Sequence, residues 1–100
     1  MKKVRIEVIK MQLHTDLMEK YEVKNIHSCS MELGQNFVSI DALKPDGMCE
    51  SAWNNLFPYV FAFANGATNF YDNWMINKNQ AIISCNDGIR PVSFLLEVIE

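Results

Sequence analysis

The dipeptide Asp87-Gly88, set between the apolar runs Gln80 to Cys85 and Val92 to Ile99, constrains this chain more than any other feature. Asp-Gly between strand-like residues predicts a β-hairpin, because a two-residue type I′ turn needs residues that tolerate positive φ. A two-residue loop also sets the register. It places Cys85 opposite Arg90, Ile83 opposite Val92 and Ala81 opposite Phe94, so that a thiol and a guanidinium share one face of the hairpin. Pro91 cannot donate to a ladder and is expected at an edge or in a loop.

The start of the chain reads as a second kind of strand. Val4, Ile6 and Val8 alternate with Lys3, Arg5 and Glu7, the pattern of one buried and one wet face. The phase then slips to Ile9, Met11 and Leu13, which predicts a bulge or a strand end. Thr15 or Asp16 is positioned to cap a short helix running to Tyr21. Residues 22 to 33 show no period and read as loop; Gly34 then opens a strand over Gln35 to Ile40.

Pro45-Asp46-Gly47 predicts a turn leading into a helix. From Cys49 the apolar positions fall at 49, 52, 53, 56, 60, 63 and 64, a helical spacing. Pro58 interrupts that run, and its missing N–H predicts a break near Phe57 with a second short helix starting at the proline. Asn65-Gly66 is the expected C-cap, followed by an aromatic-rich loop over 67 to 79. The sum is a single α+β domain over residues 1 to 100. Its sheet is small and mostly antiparallel, of about four strands, with the first strand beside the closing hairpin and the Pro-broken helix on one face.

Composition sets outer limits. One hundred residues, about half of them apolar, suffice for one modest core. A net charge of −3 with scattered basic residues gives no support for nucleic acid as a partner. No run approaches a membrane span, and the charged start does not read as a signal peptide, so a cytoplasmic protein is expected. Three cysteines, an odd number, are expected as reduced thiols.

Several motifs together, Gly34-Gln35-x-Phe37, Pro45-x-Gly47-x-Cys49-x-x-Ala52-Trp53, Pro58-Tyr59 and Cys85-x-Asp87-Gly88-x-Arg90-Pro91-Val92-x-Phe94, resemble a family of small bacterial and archaeal proteins of about this length. The likeness covers nearly the whole chain and brings no reaction with it. This chain departs from the family pattern at Cys29-Ser30, where Cys-Pro is usual, and at Ser84, where a second cysteine is common. It departs again at Asn69 to Trp74, where a Gly-rich Phe-Pro-Trp segment is usual.

Four groups of residues are candidates for chemistry. Cys85 beside Arg90 is a thiol whose reactive thiolate a guanidinium would favour; the plainer reading is a structural cysteine, with Arg90 held by Asp87 or a backbone carbonyl. If Asp46 caps the helix, Cys49 sits in its first turn, where free amides favour an anion; alternatively Cys49 packs in the core with Trp53. Cys29, Cys49, Cys85 and His27 suit zinc in number and type, yet only His27-x-Cys29 is a local pair, so Cys29 and His27 are weak metal candidates. Trp53, Tyr59 and Trp74 are the aromatic wall of a small-molecule site or part of core and contact surfaces. No phosphate-cradling loop or catalytic-triad signature is visible, and no cofactor is indicated.

Two functions of different class follow. One is a small-molecule site where the central helix meets the closing hairpin, with Cys49, Cys85, Arg90 and Asp87 at its polar end and Trp53, Tyr59 and Trp74 as its wall. The other is a non-catalytic module that binds a partner or forms a homo-oligomer, since Ile82, Leu95 and Ile99 leave the outer face of the hairpin apolar.

Overall fold

The computed structural model describes residues 1–24 and 29–99. Among these residues the elements run β1 (Val4–Met11), α1 (Thr15–Tyr21), β2 (Asn36–Ser39), α2 (Glu50–Ala64), β3 (Gln80–Ser84) and β4 (Val92–Val98). The strands form one antiparallel sheet in the order β2-β1-β4-β3. The first strand therefore lies between β2 and the closing hairpin, and α2 covers one face. This is the small α+β architecture that the alternation of residues predicts.

The inner face follows directly from the period-two pattern. Val4, Ile6 and Val8 are wholly buried and lie opposite Val98, Leu96 and Phe94 of β4. Ala81 and Ile83 of β3 continue the same layer. The expected slip in β1 is present, because the register with β4 shifts between Val8 and Lys10. Beyond that irregularity Lys10 and Met11 emerge into solvent.

Before α2, the Met48 N–H bonds the Pro45 carbonyl at 3.4 Å, and Gly47 supplies a φ of +82° at the third turn position, where a type II turn needs it. Asp46 belongs to this turn and does not cap the helix. The N-cap is Cys49, whose carbonyl accepts the Trp53 N–H at 2.9 Å, so Cys49 lies just outside the first turn rather than within it. The far end closes as expected at Asn65-Gly66. Ala67 N–H reaches the Ala62 carbonyl, Gly66 N–H reaches the Phe63 carbonyl, and Gly66 takes φ +97°, a Schellman motif.

The expected break at Pro58 does not occur: α2 is continuous through it. The proline and Asn54, whose carbonyl loses its donor, are both exposed, so water can take the orphaned acceptor. The opposite face holds the helix straight enough to persist, with Leu56, Val60 and Phe63 wholly buried on the sheet. Trp53, Phe57 and Phe61 also stack at one-turn intervals, centroids 5.7 and 5.8 Å apart, and bridge the proline along the helix.

The closing hairpin also departs from expectation. Ile83 pairs with Phe94, not Val92, and Ser84 pairs with Ser93. The Cys85 N–H bonds the Val92 carbonyl at 3.0 Å, so Cys85 faces Val92 rather than Arg90, and residues 86 to 91 form a wide loop. Asp87 explains the widening. Its Oδ1 accepts the N–H groups of Ile89 (2.8 Å) and Arg90 (2.9 Å), an Asx-type wrap in place of a tight turn. The carbonyls of Ile89 and Pro91 are taken in turn by the N–H groups of His14 (2.8 Å) and Gln12 (3.0 Å). The register has moved by two residues, so each side chain keeps its face while changing its partner.

The outer face of the sheet is more polar than the hairpin alone suggests. Arg5 pairs with Glu97, and Gln80 donates to Glu97 at 2.7 Å, a polar row across three strands. Leu95 and Ile82 lie side by side below that row. The short helix α1 buries none of its residues, so it is no cover for this face. Within the loop over 67–79, the Tyr71 hydroxyl donates to the Ile82 carbonyl at 2.7 Å, and burial raises the Tyr71 pKa above the ordinary phenolic value.

Candidate functional site

A cavity of about 450 Å³ opens between the start of α2, the loop 86–91 and the segment after α1. Its apolar lining comes from Met31, Ala52, Val92 and Phe94. Its polar lining comes from Glu22, Ser30, Ser51, Asn86, Asp87 and Arg90, together with all three cysteines, Cys29, Cys49 and Cys85. The cysteines arrive from three segments: the loop before β2, the cap of α2 and the end of β3. Their meeting is a product of the tertiary fold alone.

Each cysteine has a different setting. Cys85 directly follows β3, and its sulfur accepts the Val92 N–H at 3.3 Å and lies 4.0 Å from the Arg90 carbonyl oxygen. Cys29 accepts the N–H of Met31 at 3.4 Å, two residues on. Cys49 is the N-cap of α2 and its side chain makes no capping hydrogen bond. All three are free thiols and partly buried.

Arg90 does not turn its guanidinium on Cys85. Nη1 and Nη2 donate to the two carboxylate oxygens of Glu22 at 2.9 and 2.6 Å, a bidentate pair with side chains only 15% and 18% exposed. The Arg90 hydrogen bonds hold the Glu22 carboxyl below the usual carboxylate range, and Glu22 in turn raises the Arg90 pKa. The Arg90 and Ile89 amides likewise hold Asp87 low. This charge pair ties the end of α1 to the closing loop across 68 residues of sequence. Glu22 was invisible to pattern reading, because it sits in a stretch without periodicity and its partner is distant.

Of the residues singled out from sequence, Cys29, Cys49, Cys85, Arg90 and Asp87 line this one cavity. Trp53, Tyr59 and Trp74 do not. Trp53 is core, stacked on Phe57. Tyr59 meets Phe70 edge-on at 5.5 Å, and Phe70 meets Phe63 at 4.7 Å, which anchors the loop 67–79 to α2. Trp74 is 81% exposed on that loop. The wall they were expected to form is supplied instead by Phe94, Val92, Ala52 and Met31.

His27 lies outside the described residues. Among the described residues no three His, Cys, Asp or Glu side chains stand in an arrangement that holds a metal ion. Nor, among them, is any helix long and apolar enough to cross a membrane. No family model, curated protein or solved structure matches the chain.

Proposed function

We propose that this chain is a small-molecule-binding domain whose site is the cavity at the start of α2, with cysteine thiols as its reactive or ligating groups. One observation carries the reading: three cysteines from distant segments line a single concave surface that also holds Asp87 and the Arg90–Glu22 pair. Concave sites with an apolar body and a few convergent polar groups are where small ligands bind. With the guanidinium occupied by Glu22, Arg90 acts here as a wall-forming residue, and the thiols are left for a ligand together with the polar side chains of Ser30, Ser51 and Asn86. A reducing, cytoplasmic setting suits three free thiols.

Site-resolved alkylation with iodoacetamide tests this. In the native protein Cys29, Cys49 and Cys85 should all react, and a bound ligand recovered by native mass spectrometry should protect them together. Thiols that react only after global unfolding would contradict an accessible cavity.

A second reading, self-association, is favoured by exposed apolar residues away from the cavity. Trp74 is 81% exposed, Ile76 is fully exposed, and Ile82 of the edge strand is 45% exposed. Sedimentation at high concentration separates the two, since a strict monomer is incompatible with a homo-oligomeric role.

A further inference from the structure

We propose that the chain forms a two-fold dimer by pairing β2 with β2 of a second copy, which joins two four-stranded sheets into one. The proposal is independent of the cavity and uses a surface other than Trp74, Ile76 and Ile82. It starts from the two edges of the sheet, which the order β2-β1-β4-β3 leaves at β2 and β3. An uncovered edge presents main-chain N–H and C=O groups that another extended strand matches along its length.

The two edges differ. In β3 the Cys85 N–H turns inward to Val92, so by alternation Gln80, Ile82 and Ser84 turn their main-chain groups outward. The fold itself occupies that edge. The Gln80 N–H donates to the Asn77 carbonyl at 3.1 Å, the Ile82 carbonyl accepts the Tyr71 hydroxyl at 2.7 Å, and the Ser84 carbonyl accepts the Asn55 amide at 3.4 Å. In β2 the Gln35 carbonyl accepts the Val8 N–H, so Phe37 and Ser39 face β1 and Val38 turns outward. Among the described residues nothing meets the Val38 N–H or carbonyl, and Val38 is 42% exposed. Residues 35 to 40 carry no charge and no proline, the devices by which natural edges repel pairing.

The occupant follows from what lies beside the open edge. Asn55 reaches Ser84 and so marks the β3 flank of α2. At about 100° per residue Phe57 and Phe61 fall on the other flank, toward β2, and both are exposed. Ile40 and Leu43, after β2, are exposed as well. A foreign strand would cover Val38 and leave the two rings in water. A second copy does more, because an antiparallel β2–β2 pair has its two-fold axis normal to the sheet. Both α2 helices then lie on one face, with their Phe57 and Phe61 flanks turned toward each other. With Val38 on the axis, the pair exchanges both of its hydrogen bonds, and Asn36 stands opposite Ile40, so no like charges face. Tyr71 and Asn55 bar β2 of one copy from adding to β3 of the next, so assembly closes at two.

The test is sedimentation equilibrium of the full, reduced chain, with amide hydrogen exchange on the same samples. The expected result is a particle of twice the 11.5 kDa chain mass, with slow exchange at the Val38 amide. V38K sets two ammonium groups beside the axis and should raise the dimer dissociation constant about 100-fold or more. V38P removes only the outward N–H, a change that edge strands tolerate, and should also yield monomer. I82K, on the occupied edge, and W74S should leave the dimer intact. Circular dichroism of each variant separates lost pairing from lost folding. A chain that is monomeric at all concentrations leaves the edge to a foreign strand and overturns the proposal. So does a dimer that I82K or W74S dissolves and V38K does not. Alkylation of the three cysteines in V38K reads the cavity separately, since β2 contains no cysteine.

Discussion

Replacing Pro58 with alanine should stabilise the protein. Proline inside a helix is about 3 kcal/mol less favourable than alanine in host–guest measurements. Two structural features keep the balance from departing far from that value. The freed carbonyl belongs to exposed Asn54, so it escapes the desolvation penalty of about 1–3 kcal/mol that a buried orphan would incur. The ring itself is exposed, so its removal opens no cavity. Proline also narrows the unfolded ensemble, an advantage that Pro58→Ala gives up and that is worth about 0.4–1 kcal/mol. The balance is a gain of about 2–2.6 kcal/mol, and each kcal/mol raises Tm by about 4–8 °C for a domain of this size. Urea titration followed by far-ultraviolet circular dichroism should show a higher midpoint with an unchanged slope. A midpoint that stays put or falls would mean that α2 depends on the proline, and the account of its continuity through Phe57 would be wrong.

Two further outcomes follow from the packing and the charges. Leu56→Ala, at a position with no solvent exposure beneath α2, should cost about 2–5 kcal/mol, a large share of the 5–15 kcal/mol typical of a domain, and should be read from the same titration. Glu22 and Asp87 both have folded pKa values below their ordinary ones, so their contribution is complete above the ordinary carboxylate range and is lost as pH falls through the lowered folded values. Hydrogen exchange, corrected for intrinsic rates, should therefore show the Ile89 and Arg90 amides opening selectively in acid, and E22Q should show that opening already at neutral pH; an E22Q profile identical to the parent would refute the role given to the charge pair.

Local patterns foretold most of the elements. Alternation at Val4, Ile6 and Val8 yields β1, the phase slip at Ile9 yields its irregularity, and Asn65-Gly66 yields the helix stop, because each depends only on residues adjacent in sequence. Two of the misreadings share a cause. At Pro58 the local rule says break, and burial of Leu56, Val60 and Phe63 on the sheet overrides it. At Asp87-Gly88 the local rule says tight turn, and the loop opens because the Asp87 carboxylate wraps two amides while Gln12 and His14 claim its carbonyls.

The site divides along the same line. Residue identity alone marks Cys29, Cys49, Cys85, Asp87 and Arg90 as carriers of chemistry, since thiol, carboxylate and guanidinium are properties of the side chain. Which of them meet is a long-range matter. Glu22 takes Arg90 away from Cys85, and the three thiols share a cavity only because the helix cap, the end of β3 and the loop before β2 converge there. Periodicity reports which face a residue presents, while proximity between distant segments is settled by how those faces pack.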